Sequence, residues 1–300
     1  MNQVGFIGSA SGWGAQIRET EKGPDTFQTS GVLDTLPFAW NWRETYYPLK
    51  SAEDLNLPNG AITLPFIEDM CLRVSQSVNQ TLNHNQFPIV IGGDHSIAVG
   101  TWGGVVSHFD AFQNFGLIWI DAHMDSHTPE TSESQAYHGM PLAALLGYGA
   151  SALVNISSKM PIYRPEHVCL IGVRSYEEGE ADLLNRLGVR VYKMDEVQKR
   201  GFQDVLKEAL ALVNKGTEGF GVTIDLDAFD PTDAPGVGSP EPNGLSVKEV
   251  LPALSLIKKD PSFKALEIVE FNPNFDKNNK TLHLMRDLLI HLVPTGRDKP

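Results

Sequence analysis

Short apolar runs alternate with amphipathic stretches along the whole chain. Seven runs stand out: Val4–Ile7, Pro88–Ile91, Gly116–Ile120, Val168–Val173, Val189–Tyr192, Gly221–Ile224 and Ala265–Phe271. Each is short, apolar at successive positions and rich in Val, Ile or Leu. A strand with one wet face alternates apolar with polar residues, whereas one covered on both faces does not. These runs therefore predict strands buried between helix layers. Ile67, Cys71, Val74 and Val78 recur at three- and four-residue spacing and predict a helix over 65–83. Further helices are predicted over 94–109, 139–148, 178–187, 203–215, 246–259 and 279–292. The helix at 246 opens on Ser246 with Glu249 three residues on, the pattern of a capping box. Strand–helix alternation predicts an α/β fold, with a mostly parallel sheet and helices on both faces. Length alone allows two domains at about 150 residues each. No repeat, low-complexity tract or linker divides the chain, so 1–300 reads as a single domain.

Two long polar or Pro/Gly-rich stretches, 126–137 and 226–245, directly follow predicted strands. Ligands collect at the carboxyl ends of strands in parallel sheets, so chemistry is expected there. Three segments occupy such ends: Gly92-Gly93-Asp94-His95-Ser96, Asp121-Ala122-His123-Met124-Asp125 and Asp225-Leu226-Asp227-Ala228-Phe229-Asp230. Singly, each has an ordinary reading, as an Asp-capped turn or a solvated strand end. Together they offer four carboxylates and two imidazoles, on His95, Asp121, His123, Asp125, Asp225 and Asp227. Alternation along an extended segment would turn Asp121, His123 and Asp125 to one side, and Asp225 and Asp227 likewise. Four anions in one cleft are costly unless cations neutralise them. Two divalent ions sharing carboxylates balance that charge. Carboxylate and imidazole donors without thiolate suit Mn²⁺, and less well Fe²⁺, Co²⁺, Ni²⁺ or Zn²⁺. Two such ions about 3.5–4 Å apart can generate a nucleophile from water at neutral pH.

Charge and composition narrow the classes further. The chain carries 24 Lys and Arg against 37 Asp and Glu, a formal charge of −13, which disfavours a basic nucleic-acid surface. Cys71 and Cys169, the two cysteines, lie far apart and read as core thiols in a reducing compartment. No signal peptide and no transmembrane run is seen, so a cytoplasmic protein without membrane partners is expected. The glycine-rich stretch Gly8–Gly14 matches neither G-x-G-x-x-G nor a Walker A sequence, so nucleotide binding is not expected. His84, His108, His167, His283 and His291 lack ligand-like spacing and read as surface or helix positions. Trp102, Phe109 and Phe112 read as core or interface.

The three motifs, in this order and spacing, resemble the arginase/agmatinase (ureohydrolase) family, binuclear manganese enzymes that hydrolyse guanidino compounds. The resemblance runs from Lys22-Gly23-Pro24 to Glu267-Ile268-Val269-Glu270-Phe271-Asn272-Pro273. It implies a three-layer α/β/α sandwich around a central parallel sheet, assembled as a homo-oligomer, a trimer or hexamer. It implies two Mn²⁺ per subunit: one on His95, Asp121, Asp125 and Asp225, the other on Asp121, His123, Asp225 and Asp227, with Asp121 and Asp225 bridging. By the same resemblance His138 would carry a proton to the leaving amine and Glu270 would pair with the guanidinium. Without the resemblance, His138 reads as a helix-start histidine and Glu270 as an acid in an Asn-Pro turn.

The loop Ser126–Ser134 carries Thr128-Pro129 and Ser134, which match the arginase loop that binds the α-carboxylate of arginine. This favours L-arginine as substrate, with L-ornithine and urea as products. His127 stands where arginases have Asn, and Glu177 where they commonly have an Asp that contacts the α-amino group. Ser239 stands at a family Thr position near the guanidinium. Other ureohydrolases (agmatinase, guanidinobutyrase, formimidoylglutamase) are the alternatives within the family. A catalytically silent scaffold is the alternative outside enzymes.

Overall fold

The computed structural model describes residues 3–50, 55 and 57–293. Eight strands form one sheet: β1 (Gln3–Ser9), β2 (Trp40–Tyr46), β3 (Gln86–Gly92), β4 (Gly116–Ile120), β5 (Val168–Val173), β6 (Arg190–Lys193), β7 (Phe220–Asp225) and β8 (Phe263–Val269). Their order is β2-β1-β3-β8-β7-β4-β5-β6, and every pairing is parallel. All carboxyl ends therefore open on one edge. In the middle of that edge, β3, β8, β7 and β4 stand side by side.

The unbroken apolar runs are explained by two cores, one on each face. Ile118, Ile120, Val222, Ile224, Leu266 and Ile268 face one core with helices 202–213, 247–253 and 280–292. Their neighbours Leu117, Trp119, Val90, Ala265 and Val269 face the other, with helices 64–83, 98–109 and 141–145. Trp102 is buried in the second core, against Gly221 of β7. A Cβ built on Gly221 would lie 1.9 Å from the indole. The result is a three-layer α/β/α sandwich, as the pattern implies.

All seven predicted strands are present. β2 was not among them. Its aromatic residues Trp40, Trp42 and Tyr46 alternate with polar ones, because it is an edge strand and is only half buried. Trp40 and Trp42 pack on Phe6 of β1. The predicted helix 246–259 is two pieces, Val247–Ala253 and Ser255–Lys258. Pro252 lacks the N–H to continue the ladder, and the first piece ends one residue later. Ser246 makes no side-chain cap bond, so its capping box is not formed. A capping box does form at Glu177 and Glu180, on helix 178–187. The 94–109 helix begins as a tight 3₁₀ turn, His95–Ile97, before the α-helix Ala98–Phe109. The 139–148 helix is cut to Pro141–Leu145, and Gly147 follows at φ +92°. Cys71 and Cys169 are buried and free, as expected. His167, expected at a surface or helix position, closes the 3₁₀ turn Pro165–His167 and is buried.

Candidate active site

The site is built on the four central strand ends. After β3, Gly93 passes so close to Ser11 that a Cβ there would sit 2.0 Å from the Ser11 carbonyl oxygen. The Gly93 N–H donates to Ser9 O (2.7 Å) and the Asp94 N–H to Ser11 O (2.8 Å). The glycine-rich stretch 8–14 is thus a bed for this turn. Asp94 is the N-cap that the ordinary reading supposed. It accepts from the N–H groups of Ser96 and Gly14, both at 3.0 Å. Capping and chemistry coexist, because the cap fixes His95 just beyond it.

His95 Nδ1 lies 3.2 Å from Asp121 Oδ2, 3.0 Å from Asp125 Oδ2 and 3.3 Å from Asp225 Oδ2. His123 Nδ1 lies 3.2 Å from Asp227 Oδ2 and 3.5 Å from Asp121 Oδ1. Two groups of donors result, His95–Asp121–Asp225 and Asp121–His123–Asp227, and Asp121 belongs to both. All six predicted residues come together, but alternation is not the reason. Asp125 sits in the left-handed region at φ +47°. Asp227 lies in the 3₁₀ turn Leu226–Ala228, its N–H donating to Asp225 Oδ1 at 2.9 Å. Tight turns, not extended chain, bring these carboxylates inward. Trp119 holds Asp121 by an indole N–H bond of 2.8 Å and stacks on His95 at 4.3 Å.

The electrostatics show what the cluster lacks. Burial pushes Asp225 and Asp227 above the usual carboxylate range, helped for Asp225 by Asp227 and Asp121. Burial and the Asp121 charge push Asp125 up to about 7. Burial alone would lower the two imidazoles, but the surrounding carboxylates hold both well above their ordinary value. Asp121 goes down: burial opposes this, yet His123 and His95 outweigh it. A cleft that retains protons on acids and bases alike is short of positive charge. His95 Nδ1 is buried among three carboxylate oxygens yet makes no hydrogen bond. A donor set of four carboxylates and two imidazoles without thiolate fits divalent cations, which would satisfy that nitrogen.

Glu270 follows β8 at φ +67°, its N–H donating to Gly93 O at 2.8 Å. Its Oε1 accepts from the His95 N–H (2.9 Å) and meets His138 Nδ1 at 3.0 Å. Burial lowers the His138 pKa, but the Glu270 bond and charge outweigh this and push it up to about 9. His138, Ser134, Ser239, His127 and Glu177 all line one cleft of about 270 Å³ with Asp125 and Asp227. His127 Nδ1 meets Thr131 Oγ1 at 3.0 Å, and its Nε2 bonds Glu177 and lies 3.4 Å from Glu180.

Four residues of the site escaped the sequence. Glu180 is buried and accepts from the N–H groups of Ser126 and Glu177. Its capping-box spacing from Glu177 was the available signal. Arg174 donates to the carbonyls of Asp227 (2.7 Å), Ala228 (3.1 Å), Glu241 (2.8 Å) and Pro242 (3.0 Å), clamping the loops after β7. Glu241 lines the cleft, and Glu267 lies beneath it, bonded by Thr223. For these three no spacing rule applies, since their partners are distant in sequence.

The arginase family profile matches residues 2–293. Arginase from Bacillus caldovelox is 38% identical over 285 residues, covering 94% of each chain. Arginase from Bacillus subtilis is 43% identical over 70% of this chain and 69% of its own. The crystal structure of arginase from Bacillus cereus superposes with a TM-score of 0.88 at 33% identity, over 98% of this chain and 99% of that one. The chain therefore belongs to the arginase family and is an arginase-type amidinohydrolase, a hydrolytic enzyme.

Proposed function

We propose that the protein hydrolyses L-arginine to L-ornithine and urea, with two Mn²⁺ held by His95, Asp121, His123, Asp125, Asp225 and Asp227. The observation that carries this is the convergence of those six side chains beside Glu270 and His138 in one cleft. When bound, the two ions neutralise the carboxylates, polarise the substrate and provide a nucleophile from water at neutral pH. The residues do the rest. Glu270, fixed by His95 and His138, receives the planar guanidinium and sets its carbon over the cluster. Water adds to that carbon, and the bond to the alkyl nitrogen breaks. A proton reaches the leaving nitrogen through His138 or Asp227, giving urea and the amine.

The choice of arginine is supported by relatives named arginase and by Ser134 in the cleft. A second reading, another ureohydrolase with a different tail, is favoured by the His127–Glu177 contact, which occupies the acid that would meet an α-amino group. Urea release from arginine, agmatine, guanidinobutyrate and formimidoylglutamate after Mn²⁺ loading separates the two. Arginine is expected to turn over fastest; faster agmatine hydrolysis overturns the choice. In the same assay Asp125→Asn should lose both bound metal and activity, and full turnover by a metal-free Asp125→Asn protein rejects the two-ion site.

A further inference from the structure

A metal-ligating imidazole offers one nitrogen to the ion and donates the other N–H to an oxygen that fixes its tautomer and ring plane. The two histidines of this site meet that requirement differently. His95 turns Nδ1 to the carboxylates, and its Nε2 lies 3.0 Å from Thr223 Oγ1, which donates to Glu267 Oε1 at 2.7 Å. That backing is wholly buried. His123 also turns Nδ1 to the carboxylates, but its Nε2 points to the cleft wall, 3.9 Å from Glu241 Oε1. Glu241 is held ready for this: Ser175 Oγ donates to its Oε1 at 3.1 Å, and Arg174 fixes its carbonyl at 2.8 Å. Its side chain remains one-third exposed, on the loop that follows β7.

We infer that Glu241 is the positioning residue for His123, and that it sets how tightly the His123–Asp227 half of the site holds its cation. This rests on the two-cation reading above. At 3.9 Å the two do not yet bond; a side-chain shift of about 1 Å would let Glu241 accept from Nε2–H and leave Nδ1 to present its lone pair. The unequal backing makes the two halves unequal. The ion beside His95 is held from a dry interior, the ion beside His123 through a group that shares the wall of the substrate cleft.

The test is equilibrium dialysis of chelated wild-type, Glu241→Ala and Glu241→Gln proteins against Mn²⁺, with kinetics at saturating metal. Wild type is expected to bind two ions. Glu241→Ala should leave one affinity within twofold and weaken the other about 10- to 100-fold, the usual effect of losing such a partner. Glu241→Gln, which keeps the volume and an acceptor oxygen, should weaken it by several-fold only, and it decides the matter should the alanine variant fail to fold. KM at saturating metal should not move in either. Unchanged affinities overturn the inference. So does a raised KM with unchanged affinities, which would make Glu241 a substrate contact. A wild-type protein that binds fewer than two ions removes the two-cation reading itself, and the inference with it.

Discussion

One oxygen of Glu270 accepts both the His95 N–H and the His138 imidazole. The acid proposed to seat the substrate is thus tied to a histidine of the proposed ligand cluster and to the proposed proton carrier. The two roles can be separated by substitution. A charge-assisted bond is worth about 1.5–3 kcal/mol, so Glu270→Gln should lower kcat/KM roughly ten- to hundredfold. His138→Asn should instead lower kcat by about 10²–10⁴, the range of general acid–base catalysis, and leave metal content unchanged. Steady-state kinetics with metal analysis checks both; an undiminished kcat in His138→Asn would remove it as proton carrier. At this scale the sequence was most legible where rare residue types stand at strand ends, as with His95 and Asp121. It was least legible where a partner is distant. Nothing near Arg174 in the sequence announces that it meets the turn after β7, or near Glu241 that it meets Ser175 and His123. Convergence of the acids was read correctly but from the wrong cause, since Asp125 and Asp227 are delivered by turns.

Strands buried on both faces announce themselves as continuous apolar runs, and six of the seven predicted strands are of that kind; β6, at the other edge, is only partly buried but short and apolar at Val191 and Tyr192. The eighth, β2, shows what that signature misses: an edge strand with one half-wet face reads as aromatic–polar alternation. Helix ends were harder, because caps depend on where side chains turn. Ser246 has the right spacing and makes no cap bond, whereas Glu177 and Glu180 make both. Packing is close where Gly221 of β7 meets Trp102 of the 98–109 helix. Gly221→Ala would drive a methyl into the Trp102 ring. Overpacking of this kind costs about 1–3 kcal/mol, and it would disturb the strand that ends in Asp225. A denaturant midpoint lowered with unchanged slope is expected; an unaltered midpoint would show that Trp102 moves aside freely.

Across the whole molecule, four of the 37 acids, Asp121, Asp125, Asp225 and Asp227, are buried together in one site. In metal-free protein His138 titrates near 9 against 6.5 when unfolded, and Asp125 near 7 against 3.8. Both folded values lie above the unfolded ones, as do those of His95, His123 and Asp225. The folded state therefore binds extra protons. Their stabilisation is complete below each unfolded value and is lost as pH rises through the folded one. The melting temperature of chelated protein should fall between pH 6 and 9. Saturating Mn²⁺, which displaces the protons of the ligand residues, should shrink the fall to the part carried by His138. An equal fall with and without Mn²⁺ would contradict this account.

The parallel sheet also divides labour along its single open edge. The proposed ligand cluster is fastened to β3, β4 and β7, which lie between two cores. His127, Ser134 and Glu177 belong to the 126–136 loop and the turn after β5 and line the cleft. Reactivity and clientele are thus inherited from different parts of the chain. Loop exchange can redirect such a scaffold to a new amidine while its bond-breaking apparatus passes on unchanged.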